Sequence, residues 1–163
     1  MADQIRVNIK HRVNNAAIKR EQRNGRDVIV VPSATLPDNV IMNGIKYPTD
    51  VIEAGYKTFE RTHAPLGHPV VNGAYVSAAD PEALNGFWIG AYNENVRREN
   101  GRVYMDKVVD VEVAQSLERG RRFLDAVEKQ EPISTSTGLL LDVANEEGEG
   151  YNRVAMSLSL IHI

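Results

Sequence analysis

The side chains best placed to do chemistry in this chain are a serine and two histidines, carried on three short stretches. Ser136 lies in Ile133-Ser134-Thr135-Ser136-Thr137-Gly138-Leu139-Leu140-Leu141-Asp142. Strand alternation puts Ser134, Ser136, Gly138, Leu140 and Asp142 on one face and Ile133, Thr135, Thr137, Leu139, Leu141 and Val143 on the other. Gly138 leaves the first face bare beside the Ser136 hydroxyl, so another backbone or a substrate can come close, and the position is a seat for a nucleophile. The plainer reading is a polar strand face turned to solvent. His68 lies in His63-Ala64-Pro65-Leu66-Gly67-His68-Pro69, a loop by its prolines and glycine. Pro69 restricts His68 to extended backbone, so the imidazole is offered from a stiff segment that suits a general base. Two incidental surface histidines are the plainer alternative here. His162 stands on an apolar alternating run, 152–163, where a histidine serves as buried structure as readily as in a site.

Composition narrows the chemistry. At 163 residues, 42% hydrophobic and 25% charged, the sequence fits one soluble globular domain, 1–163. A net charge of −3 gives no pull towards nucleic acid. With no cysteine there is no disulfide framework, thiolate metal site or cysteine nucleophile, which leaves serine, threonine or a metal-bound water for hydrolysis. No apolar run approaches the ~18 residues that span a bilayer. The start, Met1-Ala2-Asp3-Gln4-Ile5-Arg6, lacks the apolar segment of a signal peptide, so a soluble, unexported protein with no membrane partner is expected. No cofactor is expected.

The elements that must position these residues follow in order. Ile5, Val7 and Ile9 alternate with Arg6, Asn8 and Lys10 as in a half-buried strand, and a second strand is expected over 16–22. Asn24-Gly25 predicts a hairpin turn into a β-branched strand over 27–31. Pro32 and Pro37 are expected to interrupt pairing before a short strand pair or bulged strand over 40–47. Pro48-Thr49-Asp50 opens a helix to about Arg61, with Val51, Ile52, Gly55 and Phe59 on one face. Asp80-Pro81-Glu82 starts a short helix ended by Gly86, and strands over 87–96 and 102–109 flank the turn Glu99-Asn100-Gly101. From Val111 to about Gln130 the period returns to 3.6 and predicts the longest helix. Val113 or Ala114, Leu117, Leu124 and Val127 point inward, with Glu118, Arg119, Arg121, Arg122, Glu128 and Lys129 on a solvated face. The acidic turn 145–150 joins the Ser136 strand to its return strand. Centred near Glu149 it sets Ser136 opposite His162; centred near Gly148 it displaces them by two or three residues, about one diagonal step.

Gly67-His68-Pro69, a long helix, Ser136-Thr137-Gly138 and Leu160-Ile161-His162-Ile163 stand in a fixed order, with Tyr47-Pro48 ahead of the first helix. This set resembles the phage prohead (capsid maturation) proteases, relatives of the herpesvirus assemblins, over roughly 43–163. The resemblance implies an α+β fold, a mostly antiparallel β-barrel flanked by helices. It implies a serine endopeptidase with a Ser-His-His triad: Ser136 as nucleophile, His68 as general base and His162 as the group that orients His68. A neutral imidazole in the third role stabilises the imidazolium less than a carboxylate would, so moderate activity is expected. Asp142 shares the Ser136 face but lies ~20 Å along an extended strand, too far for that role. The implied substrates are phage scaffold and major capsid proteins, and the chain itself, cut inside the immature head in the host cytoplasm. A homodimer follows by the same likeness.

Two departures qualify the match. The family's strand continues past its third member, whereas this sequence stops at Ile163, so a domain truncated at its C-terminus by trimming or self-processing is expected. Ser134 shares the Ser136 face, which leaves a nucleophile shifted by two residues open; Gly138 favours Ser136. Two other functions compete. One is a catalytically silent capsid-assembly or scaffold protein with the same fold. The other is a metal-dependent hydrolase through His63, His68 and His162, for which no carboxylate stands at a ligand spacing.

Overall fold

Alternating apolar residues and two Asn-Gly turns dictate a chain dominated by antiparallel strands. The computed structural model describes the backbone of residues 4–39, 41–42, 45–143 and 151–163, and side chains at all of these except 4–9, 41–42, 45–46, 138–143, 151–160 and 162. In chain order the elements are β1 (Gln4–Arg12), β2 (Lys19–Arg23), β3 (Arg26–Pro37), β4 (Ile41–Met42), β5 (Ile45–Lys46), α1 (Thr49–Gly55), β6 (His63–Pro65), β7 (Val70–Val71), β8 (Ala74–Tyr75), α2 (Pro81–Gly86), β9 (Trp88–Glu99), β10 (Arg102–Asp110), α3 (Val111–Gln115), α4 (Glu118–Glu128), β11 (Ser134–Val143) and β12 (Tyr151–His162). Among the described residues one sheet runs β1-β11-β12 and a second β2-β3-β10-β9-β6, with antiparallel neighbours, beside two short ribbons, β4-β5 and β7-β8. The architecture is thus mixed α/β with mostly antiparallel sheets.

The two sheets meet at two joins. Beyond β6, Leu66 forms a parallel bridge to Ile161, and the Gly67 N–H donates to the Ile161 carbonyl at 2.9 Å. On the other side the Ala34 N–H of β3 donates to His11 Nδ1 of β1 at 3.4 Å. One bridge and one side-chain contact do not make a continuous hydrogen-bonded barrel among the described residues. Between the sheets Ile29, Val31, Ile89, Ala91, Val109, Ile133 and Ile161 pack as a core, closed on one side by Ala114 and Phe123. Each of the valine, isoleucine and phenylalanine side chains contributes about 1.5–3 kcal/mol by leaving water. Alternation along β10 sends Val103, Met105, Lys107 and Val109 to the same inner face, and Lys107 is fully buried. Loss of water around its ammonium pulls the Lys107 pKa down to about 7.

Four sequence expectations need correction. The strand does not stop at Pro32: β3 runs through it, with Pro32 opposite Asp106 of β10. Strand N–H groups alternate in direction, so Pro32, two before Ala34, turns its missing donor towards β1 and away from β10; β2 ends opposite Val30, and no ladder bond is lost. The long helix is broken into α3 and α4 at Ser116 and Leu117, and Leu117 is extended. Gly120 of α4 lies so close to Ala114 that an added Cβ would sit 2.1 Å from the Ala114 carbonyl oxygen, so the chain folds back there instead of continuing straight. Both halves bury apolar residues at the 3.6 period, which is why they read as one. The helix opened at Pro48 ends at Gly55 and continues only as a 3-10 turn over Tyr56–Phe59, although Val51, Ile52, Gly55 and Phe59 are all buried. The segment read as a loop at 63–69 begins as strand β6.

Candidate active site

β11 carries Ser136 between two buried threonines. Ile133, Thr135 and Thr137 alternate towards the core side, since Thr135 stands in register with core residue Ile161 and antiparallel partners share a face. Ser136 is therefore on the opposite face, and it is not solvated: its exposure is 0%. The polar strand is sheathed on both sides at this point, contrary to the open face that its composition suggests.

The loop that brings His68 to this hydroxyl is tied down residue by residue. The Leu66 N–H donates to the Phe87 carbonyl at 2.9 Å, and the Gly67 N–H turns the other way to the Ile161 carbonyl of β12 at 2.9 Å. Gly67 takes φ +85°, a conformation that side-chain-bearing residues rarely adopt, and so redirects the chain out of the sheet. His68 follows, half-buried, and Pro69 fixes the next φ. The outcome is a contact between side chains 68 positions apart: Ser136 Oγ lies 3.4 Å from His68 Nε2. At that distance the hydroxyl can donate to an unprotonated Nε2, at the long end of the range that tightens when substrate binds. Such a tautomer keeps its proton on Nδ1, which then needs an acceptor. The Tyr75 ring stands edge-on to the imidazole at 5.6 Å between centroids, on the β7-β8 ribbon, and is 54% exposed.

No family model matches the chain, and no curated protein is similar enough in sequence to match it. Among solved structures it is similar to the bacteriophage T4 capsid assembly protease, gp21, with a TM-score of 0.69 and 12% identity over 97% of this chain and 98% of that one. The chain has the fold of a capsid assembly protease. At that identity the likeness speaks for the backbone, and the roles of individual side chains rest on their geometry.

On this protease fold, the other expected residues fall as follows. β11 and β12 pair with Ser136 opposite Leu160 and Ser134 opposite His162, which corrects the register that sets Ser136 opposite His162. The displacement is the two-residue, one-diagonal-step case, and the turn 145–150 itself lies outside the described residues. The His162 side chain lies outside the described residues, as does that of Asp142. His63 does not join Ser136 and His68. Its ring packs 5.5 Å from Trp88 and 5.1 Å from Tyr92, and its backbone pairs with Tyr92. Among the described residues no three His, Cys, Asp or Glu side chains gather as metal ligands would. Among them, too, no helix is long and apolar enough to cross a membrane. Arg119, assigned by its spacing to a solvated charged face, is exposed as that assignment implies, and its guanidinium also reaches the Leu66 carbonyl at 3.0 Å. Only the proximity of α4 to the His68 loop reveals this, and nothing in the helical pattern sets Arg119 apart from its neighbours.

Proposed function

We propose that the chain is a serine endopeptidase of phage head maturation, with Ser136 as nucleophile, His68 as general base and His162 as the group that orients His68. The observation that carries this reading is the 3.4 Å approach of Ser136 Oγ to His68 Nε2. In the proposed reaction Oγ attacks the scissile carbonyl carbon while its proton passes to Nε2. The imidazolium then returns that proton to the leaving amine as the C–N bond breaks, and water repeats the sequence on the acyl-enzyme. Backbone N–H groups beside Gly138 are the candidates for stabilising the oxyanion. Its backbone position, opposite Ser134 and one diagonal step from Ser136, is compatible with His162 accepting the Nδ1 proton of His68. The two joins between the sheets support an assemblin-like barrel as the working architecture. Scaffold and major capsid proteins are the proposed substrates, cut inside the immature head in the host cytoplasm by a homodimer that needs no cofactor. A fluorophosphonate probe tests this: it should label Ser136 in the folded chain and fail with Ser136→Ala, and a folded wild type that neither labels nor cleaves scaffold protein overturns it.

The complete burial of Ser136 favours a second reading. A chain with this fold whose hydroxyl never meets substrate would be a silent assembly or scaffold protein. Head assembly would then be indifferent to Ser136→Ala, whereas the protease reading expects heads that stall with uncut scaffold.

A further inference from the structure

We infer that Arg119 is a positioning residue that holds His68 towards Ser136 through the backbone of Leu66 and Gly67, an inference that rests on the serine-protease reading of the site. Arg119 lies in the first turn of α4, and its Nη1–H donates to the Leu66 carbonyl at 3.0 Å. Its guanidinium carbon stands 4.2 Å from the centroid of Phe87, the residue whose own carbonyl holds the Leu66 N–H. The guanidinium also lies against Gly67: a Cβ built there would be 3.5 Å from Nη1. Among the described residues Arg26, Arg98 and Arg122 pair with carboxylates, while Arg119 has none within 4.0 Å. Its donors and its charge are directed at the loop and the ring instead. Leu66 is thus held at both its N–H and its carbonyl, and Gly67 at its N–H, immediately before His68. Arg119 supplies the one side-chain tie in that set. Without it the Leu66–Gly67 peptide would be held at its N–H alone, beside glycine, the most permissive residue in the loop, and the imidazole would lose part of what fixes its approach to Oγ. Misplacement of a reacting group by about 1 Å lowers a rate on the order of 10²-fold.

The test uses the full chain, with Arg119→Ala, Arg119→Lys, Phe87→Leu and, as a surface control, Arg122→Ala. Labelling of Ser136 by the fluorophosphonate, kcat and KM on a scaffold-derived substrate, and hydrogen exchange at the Gly67 amide are measured together. Arg119→Ala should label about 10²-fold more slowly and lose kcat at nearly unchanged KM. Free guanidinium ion should restore about tenfold of that rate, and the Gly67 amide should exchange faster. Arg119→Lys and Phe87→Leu should fall between wild type and Arg119→Ala, and Arg122→Ala should match wild type. An Arg119→Ala protein with wild-type labelling and wild-type Gly67 exchange overturns the inference, as does a lost rate that guanidinium ion fails to restore. A wild type that does not label defeats the protease reading alone; Gly67 exchange then decides whether Arg119 holds the loop, faster exchange in Arg119→Ala upholding it and unchanged exchange sinking it.

Discussion

His63 and His68 stand five positions apart on one stretch, one packed against the rings of Trp88 and Tyr92, which also touch each other, the other facing a serine hydroxyl. His63 is still inside the sheet, in register with Tyr92, so the pleat decides where its ring goes. His68 comes after the chain has left the sheet at Gly67, and its direction is set by the ties on Leu66 and Gly67. Local composition is nearly the same for both. What an imidazole can do depends on what faces it: ring faces make it a packing group, and a hydroxyl at Nε2 gives it the contact that the proposed base needs. Lys107 extends the contrast within the sheet, as a basic group fully enclosed by β10 and its neighbours.

The sharpest way to break this contrast is to remove the reacting pair. Ser136→Ala and His68→Ala should each lower kcat/KM on a scaffold-derived substrate by about 10⁴-fold or more. Ser134→Ala should cost less than about tenfold, and the reverse order of the two serines would move the nucleophile to Ser134. Next in size is His162→Ala, expected to lose one to three orders of magnitude because the base survives without control of its tautomer; roughly wild-type kcat/KM would remove His162 from the mechanism.

Lys107→Met probes the enclosed base through stability. Between about pH 7 and 10.5 the unfolded chain keeps the lysine proton and the folded chain has lost it, so wild-type stability should rise with pH across that window. Below pH 7 the cost of the buried charge is fully present, at most about 5 kcal/mol for a shift of this size. The methionine variant should therefore be the more stable protein at pH 6, with the gap closing towards pH 10 in urea unfolding curves. A gap that does not change with pH would mean that Lys107 keeps its proton in the fold. The smallest effect belongs to His63→Ala: about 1 kcal/mol of stability from its ring contacts, and kcat/KM within about threefold of wild type. A large loss of activity there would dissolve the contrast between the two histidines.

Much of the fold was legible because local rules agree with the global structure. The Asn24-Gly25 and Asn100-Gly101 turns join β2 to β3 and β9 to β10 with both residues at positive φ. Asp80 caps α2 by accepting from the Glu82 N–H at 2.9 Å, as its position before Pro81 implies. What escaped sequence reasoning was decided between elements. The break between α3 and α4 comes from the contact of Gly120 with Ala114, and the passage of β3 through Pro32 from which neighbour its absent N–H would face. The offset between Ser136 and His162 is fixed by the register of β11 on β12, which shifts between Gly138 and Leu139 and again between Asp142 and Val143 and which no sequence pattern announces. Lys107 was readable: it alternates with Val103, Met105 and Val109 on one face. The approach of His68 to Ser136 followed from the order of the motifs and their family likeness, while Arg119 needed three dimensions.

The strand order also governs when the protein can become competent. Among the described residues β1 pairs with β11 alone, with Gln4 against Asp142 and Arg12 against Ser134, so the earliest strand waits for one of the last to be made. His68 hangs from the end of one sheet and Ser136 belongs to the other, and the join at Leu66 and Ile161 forms only when the two have docked. Contacts this distant in sequence pay their loop-closure entropy before they return any stability, which makes them late events in folding. Under the proposed mechanism a nascent chain would therefore be inert until β11 and β12 had both emerged, and the docking of the two sheets is the same act that brings His68 and the Ser136 hydroxyl together.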